Sequence, residues 1–204
     1  RSKIFNSALK FTEETKKYYS VRVLIKLIDN AGKFLESEQT ALIDSIKNSE
    51  NAGDSSVLDA LIYNADKFGE REKIEILNFV RAFFAAQKMN YEKKELLLSL
   101  IGNADKFKQH QEEIIVFAQE YNFLWKLVKR IGNFKDNVRN GFFERIRGKS
   151  VVSRKTVMGL YTYTDLVRNI ESFPADQIKD DYSCFFIKNM PADQNGVFEV
   201  LKQI

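Results

Sequence analysis

One octet, repeated three times, constrains this chain more than any other feature of its sequence. The copies are Leu27-Ile28-Asp29-Asn30-Ala31-Gly32-Lys33-Phe34, Leu61-Ile62-Tyr63-Asn64-Ala65-Asp66-Lys67-Phe68 and Leu100-Ile101-Gly102-Asn103-Ala104-Asp105-Lys106-Phe107. The second and third differ only at Tyr63 against Gly102. The three starts lie 34 and then 39 residues apart. A degenerate fourth copy begins at Leu127, where Leu127, Val128, Ile131 and Phe134 keep the apolar positions. A period of this size marks a chain built from stacked supersecondary units.

The spacing says which units. The first, second, fifth and eighth positions of the octet are apolar, and this pattern lies on one stripe of an α-helix. The stripe extends backwards through Val23 and Leu24, Val57 and Leu58, and Leu96 and Leu97. Each octet therefore reads as the second half of a helix, over 20–34, 55–68 and 91–107. Gly69, directly after Phe68, reads as a C-terminal stop. Eight residues beyond each octet Phe comes Leu42, Ile76 or Ile115, the apolar anchor of a partner helix. The expected fold is all-α, an α-solenoid-like array of antiparallel helix pairs in 34–39-residue units with a helical C-terminal cap. The unit length fits the HEAT, armadillo and tetratricopeptide size class. The tetratricopeptide consensus is absent, so the likeness is one of architecture and assigns no family.

Within this reading Phe34, Phe68 and Phe107 wedge between layers, and the octet Ala lets helices approach. Lys67 and Lys106 face solvent near helix ends, where they complement the macrodipole. The Asn and Asp satisfy local backbone groups. A ladder of Asn, Asp and Lys contacts along one surface is the alternative.

Further helices are expected over 3–18, 37–48, 70–88, 109–120, 121–134 and 137–147. The stretch Asn48-Ser49-Glu50-Asn51-Ala52-Gly53-Asp54-Ser55-Ser56 is small and polar. It reads as a loop with a helix N-cap among Asp54, Ser55 and Ser56. Residues 148–153 form a second break. The chain thus divides into a helical-repeat region, 1–148, and a C-terminal helical section, 149–204, packed on it as one continuous domain. A helix is expected over 153–172. Pro174-Ala175-Asp176-Gln177 and Pro191-Ala192-Asp193-Gln194 contain the chain's only two prolines, and both read as helix starts. Helix is preferred to a β-hairpin around Tyr182-Ser183-Cys184-Phe185-Phe186-Ile187, whose composition also suits a strand.

Several function classes are excluded or left without support. Nine Gly and two Pro rule out a collagen-like or linker-like chain, and a single Cys, Cys184, rules out a disulfide scaffold. No run of apolar residues is long enough to span a membrane. The first residues, Arg1-Ser2-Lys3-Ile4-Phe5, lack an apolar signal core and a Met, which reads as a trimmed or mature fragment. The lone Cys and the absence of Asn-x-Ser/Thr sequons favour an intracellular, reducing compartment. No phosphate-binding Gly loop, dinucleotide fingerprint, nucleophile elbow or zinc-protease motif occurs. One His, His110, in a polar turn, reads as a solvated surface residue. Glu112-Glu113 and Asp180-Asp181 read as solvated faces. No catalytic residue, metal site or cofactor is therefore expected, and the chain is not expected to be an enzyme.

Charge carries the remaining signal. Between residues 126 and 155 stand Lys126, Lys129, Arg130, Lys135, Arg139, Arg145, Arg147, Lys149, Arg154 and Lys155, against Asp136 and Glu144 only. Ten cations less two carboxylates give +8, in a chain whose total is +4. Such asymmetry suits an electrostatic docking surface, with phosphate a natural partner. On a helical projection Trp125 lies off the apolar stripe and one turn before Lys129, placed to stack a base or anchor a partner. Two partner classes follow. The first is a protein bound by an interaction scaffold through the helical-repeat surface. The alternative is nucleic acid bound through the basic segment 126–155.

Overall fold

A computed structural model of the chain describes residues 2–14, 17–86 and 90–121, and then 123, 126, 127, 130, 132, 134, 135, 137–139, 141 and 142. The expected break at 148–153, the section 149–204 and its Pro-Ala-Asp-Gln starts lie outside these residues. The described chain is all-α, with no strand among the described residues. None of its helices is long and apolar enough to cross a membrane.

Seven α-helices follow one another: α1 (Ser2–Glu14), α2 (Lys17–Asp29), α3 (Glu36–Lys47), α4 (Ser55–Tyr63), α5 (Glu70–Ala85), α6 (Tyr91–Gly102) and α7 (Gln111–Glu120). Two compact units divide the chain, Arg1–Ile114 and Ile115–Ile204. In the first unit α1 packs on α2 and α3, α2 on α4, α4 on α6, and α3 on α5. The expected core residues are buried: Leu24, Leu27 and Ile28 on α2, Val57, Leu58, Leu61 and Ile62 on α4, and Leu96, Leu97, Leu100 and Ile101 on α6. Leu42 and Ile76, the anchors of the following helices, are fully buried.

Helix starts are set by short side chains that accept otherwise unpaired N–H groups. Asp54 Oδ1 accepts from Ser56 N–H at 3.0 Å and Val57 N–H at 3.3 Å, opening α4. Asn90 Oδ1 accepts from Lys93 N–H at 2.9 Å, opening α6. Before α4, the expected loop contains a 3₁₀ turn, Glu50–Gly53, whose first N–H groups include one held by Ser49 Oγ at 3.1 Å.

The octet corrects the sequence reading. It is not the second half of one continuous helix. The α-helix ends at the third position, at Asp29, Tyr63 and Gly102, and a 3₁₀ turn follows: Ala31–Lys33, Ala65–Lys67 and Ala104–Phe107. The octet Asn sits at the junction with φ/ψ of −102°/7°, −103°/14° and −111°/20° in the three copies. Its side-chain amide donates back to the carbonyl four residues earlier: Lys26 at 2.8 Å, Ala60 at 2.9 Å and Ser99 at 2.8 Å. In the second and third copies the same carbonyl also accepts from the Asn backbone N–H, at 3.1 and 3.0 Å, so the side chain adds a second bond at the helix end. Periodicity missed the break because a 3₁₀ turn advances the chain by almost the same angle per residue, so Phe still meets the core.

Gly69 is likewise not a helix stop. It is the N-cap of α5, with extended φ/ψ of −68°/167°. A Cβ there would lie 2.7 Å from Glu72 Oε2, so Gly admits a carboxylate whose other oxygen accepts from Thr40 Oγ1 at 2.7 Å. Tyr18 and Tyr19, expected at the end of the first helix and in the gap after it, belong to α2.

In the second unit, the degenerate copy keeps the octet's local pattern where it is described. Leu127 is helical and fully buried, Gly132 lies in a 3₁₀ turn, and Phe134 is buried in a bend. Arg130 N–H donates to Leu127 C=O at 2.8 Å, as Asn30 N–H does to Leu27 C=O at 3.1 Å. Val138 and Phe142 add to its buried apolar set.

Candidate functional site

The octets are joined by side chains, which places the Asn-Asp-Lys positions in a different role from the solvent-facing one expected. Lys67 Nζ donates to Asp29 C=O at 2.8 Å, and Asn64 Nδ2 to Asp29 Oδ1 at 3.3 Å. One octet later, Lys106 Nζ donates to Tyr63 C=O, lies 4.3 Å from the Tyr63 ring centre, and sits 3.8 Å from Asp66 Oδ1. In both cases the Lys of one octet caps the third-position carbonyl at the C-terminal end of the preceding helix. Those carbonyls have no partner within their own helix, and a cation there complements the dipole. Gln39 Nε2 adds a second bridge, donating to Ala31 C=O and to Lys67 C=O, each at 3.0 Å. The polar ladder weighed as an alternative therefore exists, as packing between octets.

The first octet is the exception. Lys33 is exposed; its Nζ donates to Asn30 Oδ1 at 2.9 Å, as Lys67 Nζ does to Asn64 Oδ1, but no bond to a preceding helix joins it among the described residues. Phe34 is half-buried, while Phe68 and Phe107 are buried. Phe34 packs edge-to-face on Phe5 of α1, with ring centres 4.8 Å apart. Beside this pair a groove of about 520 Å³ opens between α1 and α2. Its floor is apolar, made by Ile4, Phe5, Ala8, Val23, Leu27 and Phe34. Arg22, Lys26, Asn30 and Lys33 also line it, and no acidic side chain is among its described lining residues. Ile4 is 77% exposed. A volume of this size is typical of ligand-binding concavities. A second depression of about 510 Å³, between the first turns of α4 and α6, has the opposite chemistry, with Asp59, Glu92, Glu95 and three Ser.

His110 does not stand in solvent as expected. Its side chain is 12% exposed, between two carboxylates: Nε2 lies 3.5 Å from Glu70 Oε2, and Nδ1 lies 3.3 Å from Glu113 Oε1. Glu70 in turn pairs with Lys73 at 2.7 Å, and Glu113 with Arg81 at 3.0 Å. The five side chains form a polar chain, Lys73–Glu70–His110–Glu113–Arg81, that ties the start of α7 to α5. No group of three His, Cys, Asp or Glu side chains converges on a metal position among the described residues. Lys93, unremarked in the sequence, is wholly buried, and its Nζ donates to Phe84 C=O at 2.6 Å. An ammonium in that position fastens the start of α6 to the last turn of α5.

Of the expected basic site, the described residues are Lys126, Arg130, Lys135 and Arg139, all in the second unit. Arg130 and Lys135 are exposed, and Lys126 and Arg139 are half-buried. Trp125, Lys129, Arg145, Arg147, Lys149, Arg154 and Lys155 lie outside the described residues, as does Cys184.

Sequence reasoning did not find the groove. Its floor residues carry the same signal as their buried counterparts in the later octets, and only the absence of a covering neighbour distinguishes them. No protein family, curated protein or solved structure matches the chain.

Proposed function

We propose that this chain is a non-enzymatic, intracellular interaction module, an α-solenoid-like array of helix pairs that binds a protein partner. The supporting pattern is two rows of helices, α2–α4–α6 and α1–α3–α5, with each octet bonded to the one before. Such arrays grow by neighbour contacts and present extended surfaces that bind macromolecules. One observation carries the reading above all: an open apolar groove with a cationic edge at the first octet. Exposed apolar concavities of this kind on a folded chain mark interaction sites.

The test is affinity capture from native lysate, with and without nuclease. A protein retained at stoichiometric level after nuclease treatment is the expected result. If only nucleic acid is retained, and salt strips it, the second reading replaces the first. That reading is nucleic-acid binding through 126–155, and the exposure of Arg130 and Lys135 favours it.

A further inference from the structure

The groove is the face of α2 that its sister helices bury. Counting 34 residues forward, its residues Val23, Leu27, Asn30, Lys33 and Phe34 correspond to Val57, Leu61, Asn64, Lys67 and Phe68. On α4 this face is closed: Val57 and Leu61 are fully buried, Phe68 is buried, and Asn64 and Lys67 bond to Asp29 of α2. On α6 the corresponding Leu96, Leu100 and Phe107 are buried, and Lys106 caps Tyr63 of α4. The rule along the row is constant. Each helix lays this face on the helix before it, and its octet Lys caps that helix's C-terminal carbonyl. On α2 this face lines the open groove beside α1, and Lys33 makes the bond to its own octet Asn that Lys67 also makes, with no helix-terminal carbonyl bonded to it among the described residues.

Resting on the interaction-module reading above, we propose that this groove takes an acidic amphipathic helix of a partner protein, laid beside α2 as α2 lies beside α4. Lys33 then caps the last turn of the incoming helix, as Lys67 caps α2. Helix-in-groove recognition of this kind needs apolar anchors at i, i+3, i+4 and i+7, which the floor of Ile4, Val23, Leu27 and Phe34 receives. The charge of the partner follows from what differs between the faces. The counterparts of Arg22 and Lys26 on α4 are Ser56 and Ala60, small and neutral. On α2 these two places are cationic, and Lys26 is 81% exposed and paired with Asp29 at 3.6 Å. Carboxylates on the incoming helix complement Arg22, Lys26 and Lys33, and the helix dipole adds negative charge at the Lys33 end.

The probe is a labelled synthetic helix of about 16 residues, with Leu at the anchor positions and Glu flanking them. It is titrated into the full chain by fluorescence anisotropy, beside a control peptide with Lys in place of every Glu. The acidic peptide is expected to bind with a Kd of about 10–100 µM and to weaken with salt. The basic peptide is expected to bind at least tenfold more weakly. Ile4→Glu, which lies on an exposed position, and the double change Lys26→Glu with Lys33→Glu are each expected to weaken the acidic peptide at least tenfold. Circular dichroism confirms that both variants remain folded. No binding by the parent chain at about 1 mM, equal binding of both peptides, or binding unaffected by all three changes overturns the proposal. Concentration-dependent dimerisation that Ile4→Glu abolishes also overturns it, by assigning the groove to a second copy. The two readings fail separately. A partner captured from lysate with full yield by Ile4→Glu removes the groove proposal and leaves the module, whereas no captured protein removes the module.

Discussion

The first octet and the third begin from nearly the same eight residues and end in different environments. Phe107 is wholly buried, Lys106 reaches back to cap the preceding helix, and Leu100 is closed in. Phe34 is half-buried, Lys33 bonds to its own neighbour, and Leu27 lines an open groove. Local sequence is not the cause, since both copies make the same Asn-capped break from α-helix to 3₁₀ turn. The difference lies in what stands on the far side. An octet packed against a preceding helix is closed, and the first octet lines an open groove.

Core truncation breaks the comparison most severely. Phe68→Ala and Phe107→Ala each remove a buried ring and leave a cavity, and each should cost about 3–5 kcal/mol. Phe34→Ala should cost about 1–2 kcal/mol, since much of its ring already faces the groove and Phe5 alone pairs with it edge-on. Denaturant melts read all three. Equal losses at Phe34 and Phe107 would mean that the first octet is as enclosed as the third.

The Asn positions give the next effect. Asn64 is buried and bonds both to its own helix and to Asp29 of the preceding octet. Asn64→Ala is expected to cost about 1–2 kcal/mol, with Asn30→Ala nearer 0.5–1 kcal/mol, because Asn30 is only half-buried and its side chain bonds only Lys26 of its own helix and Lys33 of its own octet among the described residues. A third comparison concerns the lysines. Lys106→Ala and Lys67→Ala are each expected to cost about 0.5–1.5 kcal/mol, since each gives up a bond to a helix-terminal carbonyl. Lys33→Ala should stay within about 0.5 kcal/mol. If Lys33 proves the costliest of the three, the bridges between octets are not what these lysines contribute. Smallest of all, Ile4→Ser should leave the melting midpoint within about 0.5 kcal/mol of the parent, because Ile4 already stands in water.

Much of the fold was legible before any coordinates. The stripe of Leu, Ile and Ala in each octet named the core residues, and Asp54 was among the foreseen caps. His110 was misread because its immediate neighbours, Lys108, Gln109, Gln111, Glu112 and Glu113, are all polar. Its burial comes from Glu70, forty residues earlier, and local composition carries no trace of that. Lys93 was passed over for the same reason, since a Lys on an amphipathic helix is ordinarily solvated.

By itself the amino-acid order determined which residues turn inward, because apolar spacing is a local property of the chain and burial follows it. It also determined that the turn closing each octet would be built alike, because the octet Asn acts on a backbone carbonyl four residues before itself. Tertiary structure alone decided which octet faces are covered and which is open. That depends on whether another helix stands beside them, and Lys33 and Lys67, alike in sequence, differ only in having a carbonyl from a preceding helix within reach.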